Sequence, residues 1–138
     1  MIRTLARFLV ALFFVSVGVR HFTDAQAFVG IMPPYLPWHL ELVYISGVFE
    51  ILGGIGLLIP ATRRQAGFGL LLLLLAVFPA NIHMLVNEVY FADMPKERWL
   101  LWARLPLQLV FAVAVLWVAE LGSQAPSQEL PNQAGTSP

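Results

Sequence analysis

The sequence predicts an all-α fold: an integral membrane four-helix bundle with a short interfacial helix or loop between the first two spans. Three observations carry this expectation. Hydrophobic residues fill 59% of the 138 positions and charged residues 12%, against roughly 45–50% and about 25% in a soluble domain. Four stretches, 2–22, 42–59, 66–86 and 99–121, each approach the roughly 20 apolar residues that cross a bilayer. These stretches are apolar on every side rather than along one stripe, which suits lipid or full burial and not the surface of a soluble bundle.

The first span starts among Arg3 and Arg7 and ends at Val19-Arg20-His21-Phe22. No small-residue cleavage pattern follows, so a retained membrane helix is expected rather than a signal peptide. The connection that follows reads HFTDAQAFVGIMPPYLPWH. Thr23 with Gln26 three residues on has the form of a capping box, which predicts a short helix over 24–32. Pro33 and Pro34 should stop that helix, and Pro37 should keep the chain extended. Phe22, Phe28, Ile31, Met32, Tyr35, Leu36 and Trp38 are too apolar for a solvated loop. The segment is expected in the outer interface, across the mouth of the bundle.

The second span contains Ser46, Gly47, Gly53 and Gly54, small residues that let another helix backbone approach closely. The third holds six consecutive leucines, Leu70–Leu75, and then FPANIHM. Its Pro79 strands the carbonyl of Leu75, for which Asn81 is a candidate partner. The fourth carries Arg104, Pro106 and Gln108. Residues 1–121 thus read as one four-span domain, and 122–138, rich in Ser, Gln, Pro and Gly, as a disordered tail.

Eight basic and eight acidic residues balance, and no basic stripe points to nucleic acid. The absence of cysteine removes thiol–disulfide chemistry from the chain itself. Arg3, Arg7, Arg63 and Arg64 fall on one side of the bundle. Lys96 and Arg98 fall on the other once Arg20 and Arg104, which lie within spans, are discounted. The positive-inside tendency then places both termini in the cytoplasm. Trp38, Tyr44, Tyr90, Trp99 and Trp117 suit the two headgroup belts.

One residue contradicts the apolar pattern. Glu50 sits about nine residues, or roughly 13 Å, into the second span. An ionisable group so placed must face the bundle or water and is a functional-site hypothesis by default. Alternating helix directions gather Arg20, His21, Asn81, His83, Arg104 and Gln108 with it in the outer half. Side chains lean toward the N-terminus of their helix, which makes Arg20 the first expected partner of Glu50 and Arg104 the second. Phe22, Phe49, Phe78, Pro34 and Tyr35 are expected to line the pocket. His21, His83, Met32 and Met84 together would suit a soft metal, but nothing in their spacing specifies one. No metal site and no catalytic residue is assigned.

The series GVRHFTDAQAFVGIMPPYLP, ISGVFEILGGIGLLIP and AVFPANIHM, over Gly18–Met84, resembles the DoxX-like family of small four-helix membrane proteins. The family pattern falls on His21, Phe22, Pro34, Leu36, Pro37, Gly47, Glu50, Gly53, Pro60, Pro79, Asn81 and Met84. The resemblance implies a bacterial inner-membrane protein that accompanies a redox enzyme or helps other membrane proteins mature. The family is named for its similarity to the small membrane subunit of a thiosulfate:quinone oxidoreductase. The expected function is a non-catalytic, quinone-linked redox accessory, with a quinone as the candidate cofactor. A proton-coupled permease using Glu50 and a ligand-free assembly scaffold are the alternatives. The expected partners are the lipid bilayer and a redox enzyme or other membrane protein.

Overall fold

The computed structural model describes residues 1–122; the remainder of the expected tail lies outside them. Among the described residues the structure is all helical. Four long helices are α1 (Ile2–Thr23), α3 (His39–Leu58), α4 (Arg63–Asn87) and α5 (Arg98–Val118), and the short α2 (Ala25–Val29) lies between the first two. The long helices run 20 to 25 residues, about 30 to 38 Å at 1.5 Å per residue. All four are long and apolar enough to cross a membrane.

The boundaries differ from the sequence expectation where local backbone decides. α3 starts at His39 rather than Leu42 because Trp38, in the left-handed conformation at φ 53°, turns the chain into the helix. α2 spans five residues rather than nine, and no side chain caps it. Thr23 remains inside α1, so it cannot take the extended conformation of a capping residue. Asp24, at φ −137° and ψ 43°, makes the break instead.

The long helices form a ring in the order α1, α3, α4, α5, with neighbours antiparallel. The α1–α3 seam is the tightest and the α5–α1 seam the loosest. Glycine sets the tight one. A Cβ on Gly47 would lie 2.7 Å from the His21 Cβ, and one on Gly18 would lie 2.8 Å from the Gly47 carbonyl oxygen. Lower in the seam, Gly54 meets the Ala11 carbonyl in the same way. Small residues around Glu50 thus let two backbones touch, the arrangement that drives helix association where burial from water cannot.

Val10, Phe14, Leu57, Leu70, Val115 and Val118 form the main core. A smaller one, Ile31, Met84 and Leu101, ties the segment after α2 to α4 and α5. Outward faces are apolar: Leu12, Leu75 and Leu109 are each more than 60% exposed. A continuous apolar exterior of this kind is unstable in water and fits an integral membrane protein.

The two ends of the bundle carry different charges. At one, Glu120 accepts Arg7 at 2.9 Å, with Arg63 and Arg3 at 3.8 and 3.9 Å; this is the arginine end. The other, covered by α2 and the chain after it, is the lid end; that chain folds into successive turns, with Leu36 N–H donating to the Pro33 carbonyl at 3.2 Å, rather than running extended as expected from Pro37.

Candidate functional site

Beneath the lid lies a cavity of ≈ 250 Å³ to which all five helices or their connections contribute. Its polar members are His21 from α1, Ser46 and Glu50 from α3, Asn81 from α4 and Arg104 from α5. The buried faces explain why these side chains converge. On α1 the buried residues are Arg7, Val10, Ala11, Phe14, Gly18 and His21, a stripe at three- and four-residue spacing. On α3 they include Val43, Gly47, Glu50, Gly53 and Leu57. Glu50 therefore occupies a core position of its helix, opposite the α1 stripe.

His21 is the group that meets Glu50. Its Nδ1 lies 3.1 Å from Glu50 Oε2 and 2.9 Å from the carbonyl oxygen of Val17. One ring N–H cannot point at both acceptors, and a bond to the carbonyl one turn back is the aligned one. Glu50 Oε2 therefore lies against the ring without an aligned hydrogen bond, and it is buried. Only 8% of the residue is exposed. An acceptor left without a donor in an apolar interior is costly.

Across the cavity the polar groups form a relay of donors. Arg104 Nε donates to Asn81 Oδ1 at 3.2 Å, and Asn81 Nδ2 donates to Gln108 Oε1 at 2.7 Å. Gln108 Nε2 in turn donates to the carbonyl of Leu74. Among the described residues no carboxylate comes within 4.0 Å of the Arg104 guanidinium. Its face rests instead on the Phe91 ring, 5.2 Å from the centroid. Arginine has five N–H donors and the Asn81 amide has two, so each keeps donor capacity beyond these bonds.

Aromatic rings connect the two polar walls over the top. His21 stacks on Phe28 of α2, 3.9 Å between centroids, and Phe28 meets Phe91 edge-on at 5.3 Å. Glu50, His21, Phe28, Phe91, Arg104 and Asn81 thus succeed one another around the cavity, drawn from α3, α1, α2, the α4–α5 connection, α5 and α4. Ile31, Met32 and Leu36 complete the roof, which His39 fastens through Nε2 to the Pro33 carbonyl at 3.1 Å.

Several expected site residues lie elsewhere. Arg20 does not pair with Glu50; it binds Asp24 and Asp93 at 3.4 and 3.1 Å with half its side chain exposed. One residue along a helix is a rotation of about 100°, which carries Arg20 out of the buried stripe and His21 into it. Arg104 lines the cavity with Glu50 but bonds Asn81. His83 pairs with Asn87 on its own helix, and Met84 packs into the lid-end core, so neither joins His21. Phe22 stacks outside on Tyr44, 5.3 Å between centroids. Phe49, Phe78 and Tyr35 are exposed outward, as is Pro34. Asn81 turns to Arg104 and Gln108 rather than to the carbonyl stranded by Pro79. Phe91 was not expected in the site; its signal is an apolar pair, Tyr90-Phe91, set just before an otherwise polar loop.

No curated protein and no solved structure matches the chain. A family model described as Domain of unknown function (DUF8561) matches residues 10–119, a span that includes every residue of the cavity. The chain therefore belongs to the DUF8561 family.

Proposed function

We propose that the protein is a non-catalytic component of a quinone-linked redox system in a bacterial inner membrane, with both termini cytoplasmic, and that its lid-end cavity holds a quinone ring. One observation carries the reading: a buried carboxylate, Glu50, lines one cavity together with a guanidinium and an amide that have donors to spare. A quinone ring is flat and apolar, with a carbonyl acceptor at each end. Arg104 and Asn81, bonded to each other on one wall, supply donors for the carbonyl at one end, and the Phe28 and Phe91 rings supply apolar walls. The reduced ring carries hydroxyl donors in place of the carbonyls, and the Glu50 carboxylate, which lines the same cavity, is the acceptor for one.

Size agrees with a single ring. The cavity, at ≈ 250 Å³, is below the roughly 300–1,000 Å³ of sites for drug-sized ligands. The resemblance of the HF…P-x-LP, ISG-x-x-E and PANI-M elements to DoxX-like proteins belongs to the same proposal, as does a redox enzyme as partner. The chain supplies a binding place; electron transfer belongs to that partner.

A proton-coupled transporter using Glu50 has less in its favour. Phe14, Leu57, Leu70 and Val115 form a buried apolar core on the arginine-end side of Glu50, an apolar barrier across the described bundle. Solvent extraction of the purified protein tests the main reading. Quinone should accompany the wild type and be lost from Glu50→Ala and Asn81→Ala. Wild-type protein purified without quinone from quinone-containing membranes ends it.

A further inference from the structure

The lid-end cavity is open on one flank. A second cavity of ≈ 230 Å³ adjoins it and shares Val17, Glu50, Val77, Asn81 and Arg104 with it. From those shared residues it extends between α1, α4 and α5, past Phe14, Leu74 and Leu107. This is the loosest seam of the ring. Phe13 of α1 and Phe111 of α5 stack across it, 4.1 Å between centroids and 17° between planes, one turn nearer the arginine end. At the outer margin Leu107 is 52% and Phe13 41% exposed. The lining therefore changes along its length, from charged and amide groups at the shared end to rings and aliphatic side chains at the exterior.

We infer that this crevice carries a single apolar chain, so that the ligand of the cavity is a one-tailed membrane lipid: its ring lies among Glu50, Asn81 and Arg104, and its tail leaves between α1 and α5. The inference rests on the quinone-ring reading and adds to it the route by which the ligand's tail leaves the cavity. A cavity the size of one ring has no room for a long chain. Phe28, Ile31 and Phe91 line the roof, and the pairs of Arg20 with Asp24 and Asp93 lie at the same lid end, so a tail leaving that way would pass into charged surroundings. The α1–α5 crevice is continuous with the cavity through five shared lining residues, and a tail within it stays among apolar groups until it reaches lipid. The polar side chain of Gln108 on that path is already occupied by Asn81 and the Leu74 carbonyl. Hydrocarbon gains little by exchanging lipid neighbours for protein ones, so the crevice sets the route and orientation of the ligand and adds little to its affinity.

The test is accordingly steric. Leu107→Trp places bulk at the crevice from a lipid-facing position. The protein in nanodiscs is titrated with two probes, a tail-less methylated benzoquinone and the same ring bearing a decyl chain. The variant should weaken the decyl probe by about tenfold or more while the tail-less probe changes by less than about twofold, the tenfold step being one that binding assays resolve easily. A decyl probe with a diazirine near the ring should, in the wild type, label Phe13, Leu107 or Phe111; this reading stands even if the variant folds poorly. Labelling of Tyr35 or Trp38, or equal decyl affinity in variant and wild type, overturns the crevice while tail-less binding leaves the ring site standing. Failure of both probes to bind the wild type overturns the ring site and the crevice together.

Discussion

His21 Nδ1 stands 3.1 Å from Glu50 Oε2, and the face of the same imidazole stacks on Phe28 at 3.9 Å. One side chain thus holds the buried acid and the lid. The pair is asymmetric. Removing the ring strands a buried carboxylate, whereas Glu50→Gln leaves His21 its bond to Val17. His21→Ala should therefore cost about 3 kcal/mol of unfolding free energy, at the lower end for truncating a buried aromatic ring, and Glu50→Gln about 1 kcal/mol. Unfolding in micelles measures both, and equal costs would contradict the asymmetry.

The lid has its own readout. His21→Phe preserves an aromatic partner for Phe28 and removes the contact with Glu50. Amide exchange over residues 25–38 should stay near wild type in His21→Phe and accelerate in His21→Ala. Acceleration in both would mean that the lid depends on the His21–Glu50 contact rather than on stacking.

Glycines distinguish the close seam from open helix surface. Gly47→Ala drives a methyl into α1 and should cost about 1–3 kcal/mol, the usual range for overpacking. Gly69 has nothing within 4 Å of a built Cβ, so Gly69→Ala should be neutral or stabilising by up to about 1 kcal/mol through helix propensity. Thermal unfolding of the two variants side by side checks the contrast.

The Asn81–Gln108 bond, at 2.7 Å, joins α4 to α5 across the inner cavity wall. A double-mutant cycle with Asn81→Leu and Gln108→Leu should give a coupling of about 0.6 to 1.7 kcal/mol, the span for interhelical hydrogen bonds in membranes. Zero coupling would mean that the amide relay is not formed.

Arg7 and Arg20 should respond differently to salt. Arg7 is buried, donates to the Val118 carbonyl at 3.1 Å and pairs with Glu120 at 2.9 Å. Arg20 and Asp93 pair with half or more of each side chain exposed. The stability lost in Arg7→Ala should persist in molar salt, while that lost in Arg20→Ala should be under about 1 kcal/mol and fade as salt screens it.

Composition and hydropathy alone made the four long helices legible, because a bilayer demands long apolar segments whatever their packing. Glu50 was legible for the same reason: a carboxylate among Gly and Ile has one sensible direction to face. Its partner was misread because side-chain lean was weighed and helix rotation was not. Gly18 and Phe14 lie three and seven residues before His21, and that spacing marks His21, not Arg20, as inward. The aromatic roof was half legible. Phe28 is visibly out of place in a loop, but its meeting with Phe91 joins residues 63 positions apart in sequence, a distance no local pattern spans. Phe22, Phe49 and Phe78 were drawn inward by hydrophobicity alone, which in a bilayer does not distinguish core from lipid-facing surface.

Binding of the tail-less benzoquinone in nanodiscs tests the central claim most directly, with Asn81→Leu and Glu50→Ala compared against His83→Ala and Tyr35→Ala. The first two alter the cavity wall, and the last two alter residues the structure places outside it. Saturable binding to the wild type, weakened about tenfold or more by each cavity substitution and unchanged by the other two, is the result predicted. No saturable binding to the wild type, or equal loss in His83→Ala, would contradict the assignment of the cavity as a ligand site.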